Sequence, residues 1–128
     1  MPKGSLVWEK PTEGQDLTAL VQAAREKAAA EQRPLFLDFT ADWCAACKEI
    51  ERDTFPDPRV QEAAGRFISV KMDMTQADDP AVEKAFEEFQ VRGLPTLILF
   101  DASGKEAKRF NGDFVSPERL LEAMRAVP

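Results

Sequence analysis

The sequence predicts an α/β fold: one central mixed sheet with helices on both faces. Three observations carry that reading. Segments with apolar residues at helical spacing alternate with short apolar runs of strand length. Three helix starts share one signature, a capping residue followed by proline, at Asp57-Pro58, Asp79-Pro80 and Ser116-Pro117. The last two strand-like runs are separated by Ser103-Gly104, a turn signal that makes them an antiparallel hairpin.

Residues 1–15 read as a lead-in, with a short edge strand at Leu6–Glu9, and residues 16–128 as one domain. Asp16 is placed to cap a first helix. Leu17, Leu20, Val21, Ala24 and Ala28 then recur at helical spacing to about Gln32. Arg33-Pro34 ends that helix, because the residue before a proline is pushed out of helical geometry. Leu35–Thr40 is a buried central strand with Asp38 as its one charged member. Ala41 and Asp42 turn the chain, and a second helix starts near Cys44 and breaks at Pro56. Asp57-Pro58 restarts a helix to about Arg66. In Phe67–Asp73 the alternation of Ile68, Val70 and Met72 marks a strand. Asp79-Pro80 opens a helix to about Phe89, and Gly93-Leu94-Pro95 turns into the strand Thr96–Phe100. The second hairpin strand lies near Ala107–Asn111, and Ser116-Pro117 caps a last helix to about Ala126. The predicted order is β-α-β-α-β-α-β-β-α.

Composition narrows the function. The chain has 128 residues, 44% hydrophobic and 31% charged, enough for one soluble core. A net charge of −6 with no basic patch argues against nucleic acid. The longest apolar run, Leu94–Phe100, is broken by Pro95 and too short to span a bilayer. Met1–Ser5 lacks the apolar segment of an export signal, so the expectation is a cytoplasmic protein or a piece of a larger exported one.

The two cysteines, Cys44 and Cys47, are the only ones in the chain and lie at a strand-to-helix junction. A loop this small would restrict the unfolded chain little, so stabilisation does not explain the pair. Cys-x-x-Cys at such a junction is a redox motif. Unpaired backbone N–H groups at the helix start stabilise a thiolate on the first cysteine, and the second lies one turn on, within reach of a disulfide. Cys44 is therefore the expected nucleophile and more exposed sulfur, and Cys47 the resolving thiol. Ala45 and Ala46 carry no charge, and the chain has no histidine to stabilise the thiolate further, so a reductant or electron relay is expected rather than an oxidase. Burial should raise the pKa of Asp38, which could then take the Cys47 proton, directly or through water. The competing reading is a buried acid satisfied by a backbone donor or by Lys71. Glu51 falls one helical turn after Cys47. It is either a charge that raises the cysteine pKa or an ordinary solvated glutamate.

Trp43 directly before the cysteine pair, with Gly93-Leu94-Pro95-Thr96 about fifty residues later, resembles the thioredoxin superfamily. The longer pattern is more specific. Ala41-Asp42-Trp43-Cys44-Ala45-Ala46-Cys47-Lys48-Glu49, Glu51, Thr54-Phe55 and Asp57-Pro58-Arg59-Val60 resemble the C-terminal domain of the DsbD family, bacterial membrane thiol:disulfide interchange reductases. The resemblance implies a thioredoxin-like fold and electron relay from a membrane-embedded part of the same polypeptide to a periplasmic domain. It also implies catalytic roles for Asp38 and Glu51 beside the cysteines, a cis-proline at Pro95, and substrate pairing through the Leu94 backbone. The alternative for Pro95 is a trans proline starting an edge strand. Trp43, Ala45, Ala46, Leu94 and Pro95 are the expected substrate-facing residues.

No cofactor beyond the Cys44–Cys47 disulfide is expected, and no metal, since two cysteines without histidine supply half a zinc site. The expected partners are protein thiols and disulfides, with the chain itself a monomer. A free-standing thioredoxin-like reductase, a non-redox binding module and a metal-binding domain are the alternatives.

Overall fold

The computed structural model describes Trp8 and residues 16–128. The expected edge strand Leu6–Glu9 and the rest of the lead-in lie outside the described residues, and Trp8 itself is not in a strand.

The described elements are α1 (Leu17–Glu31), β1 (Leu35–Thr40), α2 (Ala45–Asp53), α3 (Pro58–Ala64), β2 (Ile68–Asp73), α4 (Pro80–Glu88), β3 (Thr96–Phe100), β4 (Glu106–Asn111) and α5 (Pro117–Ala126). The expected caps form. Asp16, Asp57 and Asp79 each accept from the backbone N–H two residues on, and Ser116 accepts from Arg119 N–H. Two ends differ from the sequence reading by a few residues. Helix α3 stops at Ala64, where Gly65 N–H bonds Glu62 O and Phe67 N–H bonds Ala64 O, so a tight turn replaces the last expected helical residues and β2 starts at Ile68. Strand β4 starts one residue early, at Glu106, where a register irregularity faces Leu99 and Phe100.

The sheet order is β2-β1-β3-β4, with β1 and β2 parallel and the other neighbours antiparallel. Side chains alternate across it. One face carries Leu35, Leu37, Phe39, Ile68, Val70, Met72, Ile98 and Phe100, closed by Leu20, Val21 and Ala24 of α1 and Val82 and Ala85 of α4. The other face carries Phe36, Leu97, Leu99 and Phe110 against Ile50 of α2, Val60 of α3 and Leu120 and Met124 of α5. Burial at about 25 cal/mol per Å2 of apolar surface drives both layers. Trp8 belongs to the second face, packed on Phe36 and Phe55 with ring centroids 5.5 and 5.2 Å away.

Candidate active site

The β1 strand ends at Thr40, and the chain turns through Ala41–Trp43 so that Cys44 caps α2 in extended geometry. Cys44 Sγ accepts from Cys47 N–H at 3.2 Å, the contact through which a helix N-terminus holds a thiolate. Cys44 and Cys47 are joined in a disulfide, with Cα atoms 5.2 Å apart. Cys44 is the more open of the two, 7% exposed against 2%. The pair packs with Ala41, Ala46 and Leu94, and the Leu94–Pro95 peptide is cis. The turn at Gly93–Pro95 is braced on both sides: Thr96 Oγ1 donates to Gly93 O at 2.7 Å, and Gly112 N–H donates to Pro95 O at 2.7 Å.

Among the described residues Trp43 is the exposed large hydrophobic side chain, 60% accessible. Its indole Nε1 donates to Thr75 O at 3.0 Å, while Asp42 N–H donates to Thr75 Oγ1 at 2.9 Å. Thr75 is held in turn by Asp73, whose Oδ1 accepts from both its N–H and its hydroxyl. The loop after β2 thus fixes the residue preceding Cys44. Thr75 is not evident from sequence; the only local signal is Asp73-x-Thr75, the spacing of a side chain-to-backbone turn.

Asp38 lies on the α2 face of the sheet, paired in register with Lys71 on β2 and Leu97 on β3. It is 2% exposed, and among the described residues its Oδ2 has no hydrogen-bond partner. Burial pushes its pKa from 3.8 up to about 7; the Lys71 cation opposes that rise and the Glu51 charge adds to it. Glu51 is no isolated solvated glutamate. Its Oε2 lies 3.6 Å from Lys71 Nζ and 3.4 Å from Thr40 Oγ1. These groups line a cleft of about 270 Å3 with Ala41, Asp42, Lys48 and Asp73. Lys71 therefore stands between two carboxylates, ion-paired with Glu51 and one strand across from Asp38. Its position follows from the parallel β1–β2 register, which the sequence alone does not state.

The structure thus brings Cys44, Cys47, Ala46, Leu94 and Pro95 to one end of the sheet. Trp43 and Ala45 are exposed next to them in the chain, while Asp38 lies on β1 and Glu51 on α2, the two elements that the Cys44 turn joins. Among the described residues no group of three or more His, Cys, Asp or Glu side chains is placed to hold a metal ion. No helix among them is long and apolar enough to cross a membrane.

A Cys-x-x-Cys capping a helix, opposite a cis-proline at the start of a neighbouring strand, defines a thioredoxin-like domain. A family model described as a thioredoxin-like domain matches residues 21–128, and the chain belongs to that family. Within it, the chain is similar to the C-terminal domain of DsbD. The reduced form of that domain from Neisseria meningitidis superposes with a TM-score of 0.73 at 30% identity, covering 88% of this chain and 98% of that one. Two curated relatives carry the same name, thiol:disulfide interchange protein DsbD. The one from Photorhabdus laumondii subsp. laumondii is 41% identical over 98 residues, 75% of this chain. The one from Salmonella paratyphi A is 49% identical over 81 residues, 62% of this chain. The chain spans only 17% and 14% of the length of these two relatives.

Proposed function

We propose that this domain is a protein-disulfide reductase and electron relay working by dithiol–disulfide exchange through Cys44 and Cys47. The observation that carries the reading is the disulfide at the α2 N-terminus, its Cys44 sulfur bonded to Cys47 N–H beside the exposed Trp43 and the cis Leu94–Pro95 peptide.

In the reduced state the Cys44 thiolate attacks one sulfur of a partner disulfide. The partner's S–S bond breaks, its other sulfur leaves as a thiolate, and a mixed disulfide forms. Cys47 then loses its proton and attacks Cys44 Sγ. The mixed disulfide breaks and the Cys44–Cys47 bond forms. Two electrons have passed to the partner, whose two sulfurs leave as thiolates, and the Cys47 proton goes to an acceptor in the site. Asp38, with its pKa near 7, is suited to accept the Cys47 proton at neutral pH and to return it when the domain is reduced again. Trp43, Ala45, Ala46, Leu94 and Pro95 form the face that meets the partner, with Leu94 offering backbone to an extended substrate strand. No cofactor other than the disulfide takes part.

The DsbD resemblance and the much greater length of the curated relatives favour a relay over a free-standing reductase. In that reading the chain works as a monomeric domain of a larger polypeptide in the bacterial periplasm. A membrane-embedded part supplies the electrons, and a periplasmic domain receives them. The test is the reduction potential of the pair in glutathione or dithiothreitol buffers, read by thiol trapping. A value near or below about −200 mV is expected, and one near about −120 mV, the range of strong oxidants, overturns the direction of electron flow.

A further inference from the structure

We infer that Trp8 is a positioning residue for the redox site: its indole face holds the Lys71 ammonium against Glu51, one strand across from Asp38. Lys71 Nζ lies 5.6 Å from the Trp8 ring centroid and 3.6 Å from Glu51 Oε2, so a ring and a carboxylate share one cation. The ring cannot easily move away, since Phe36 and Phe55 pack against it. Phe36 lies two residues before Asp38 on the same strand and the same face of the sheet.

This arrangement matters because Lys71 is the cation that faces Asp38 across the parallel strand pair. The ionisable groups around it are Asp38 on β1, Asp42 in the turn, Lys48 and Glu51 on α2, and Lys71 and Asp73 on β2. Lys48 is exposed on the helix, whereas the Lys71 side chain is only 25% accessible and held from two sides. A held cation favours the ionised form of a nearby carboxyl more than one free to swing into water. The ordered aromatic in the segment ahead of the domain therefore helps set the pH at which Asp38 exchanges its proton. This rests on Asp38 serving the cysteine pair as proposed above.

The experiment is the titration of Asp38 in the oxidised protein, followed by the carbon-13 shift of its carboxyl. Trp8→Leu and Trp8→Met keep apolar cover over Phe36 while removing the π face, and either suffices if the other fails to fold. The expected result is a rise of the Asp38 midpoint by about half a pH unit, the size of a partly exposed cation–π contact. Trp8→Phe, which keeps a ring, should restore most of the original midpoint. In a Lys71→Met background Trp8→Leu should move nothing. An unchanged midpoint in both Trp8 variants, or an equal rise without Lys71, overturns the inference. The proton-acceptor reading fails separately: it falls if Asp38→Asn leaves the pH profile of exchange unchanged, an outcome that does not touch the titration.

Discussion

The two faces of the sheet differ in kind. Against α1 and α4, every strand side chain of β1 and β2 is apolar and no more than 3% exposed: Leu35, Leu37, Phe39, Ile68, Val70 and Met72. Against α2, the same two strands carry Phe36, Asp38, Thr40, Ser69, Lys71 and Asp73. The apolar character fades toward the strands' C-terminal ends, where the disulfide sits. A buried carboxyl with an unpartnered oxygen costs stability unless it stays protonated. Both faces contribute apolar core, but only the second also gives up some stability to hold ionisable groups at the end of the sheet where the disulfide lies. Strained or costly groups collect where chemistry is done.

The comparison breaks most sharply at the cysteines. Cys44→Ser should lower disulfide exchange by about three orders of magnitude or more, because it removes the nucleophile. Its folding should change little, since a bond closing so short a loop restricts the unfolded chain weakly. Cys47→Ser should instead accumulate the mixed disulfide, visible as a mass adduct that dithiothreitol reverses. On the opposite face, Phe39→Ala should do the reverse. Phe39 is fully buried against Phe89, with ring centroids 5.5 Å apart, and its loss should cost about 3–5 kcal/mol in urea unfolding. Exchange per folded molecule should stay near the parent value. If Phe39→Ala altered the exchange rate as strongly as the cysteine variants, the division of labour between the faces would be wrong.

How far this division can be read from the chain depends on the range of each contact. Strand β1 is legible to the residue, because Leu35–Thr40 is an apolar run bounded by Pro34 and the Ala41-Asp42 turn. The helix starts are legible for the same local reason: capping side chains bond backbone two or three residues away. The cysteine pair and its helix cap are local too. Asp38 stands out as a lone charge in an apolar strand. The surroundings of these residues are legible only in part: Lys71 can be named from the sequence as a candidate partner of Asp38, but not its geometry. Lys71 meets Asp38 only through the parallel β1–β2 register, and Glu51 meets Lys71 only once α2 has packed over both strands. Thr75 reaches Trp43, and Trp8 reaches Lys71, across separations that no periodicity records. Sequence alone accordingly leaves Glu51 between two roles, and the structure supplies its partners.

The cost of the polar face can be measured at Asp38. Its pKa is about 7 in the folded protein and near 3.8 when unfolded. Between those values Asp38 binds more protons in the folded state than in the unfolded chain, so its contribution to stability falls as pH rises from about 4 to 7 and is level above. Asp38→Asn cannot ionise and should lack this decline. Below pH 4 or so the two proteins should be similar. Above pH 7 the variant should be the more stable, by up to about 4 kcal/mol, since a tenfold difference in proton affinity corresponds to about 1.4 kcal/mol. Urea midpoints at low and high pH decide it. If the advantage of Asp38→Asn over the parent does not grow as pH rises through this window, Asp38 is held ionised, and the contrast between the faces largely disappears.

The smallest expected effect sharpens the comparison within the polar face itself. Glu51 acts on Asp38 in two ways: its negative charge raises the Asp38 pKa, and it draws the Lys71 ammonium toward itself. Glu51→Gln removes the charge and also leaves Lys71 less firmly held, with the Trp8 ring as its remaining contact. The first consequence lowers the Asp38 midpoint and the second raises it, as loosening the cation by Trp8→Leu does. A whole charge is lost while the cation is only loosened, so a net fall is expected, kept below about one pH unit by the partial exposure of the pair. In the reduced protein the same variant should let Cys44 titrate at lower pH, because one negative charge has left the helix that carries the thiolate. Thiolate absorbance against pH reads the second effect, and the carboxyl carbon-13 signal reads the first. If Cys44 moves while Asp38 does not, Glu51 acts on the nucleophile alone. Lys71 would then be a simple counter-charge to Glu51 rather than a link between the two carboxylates.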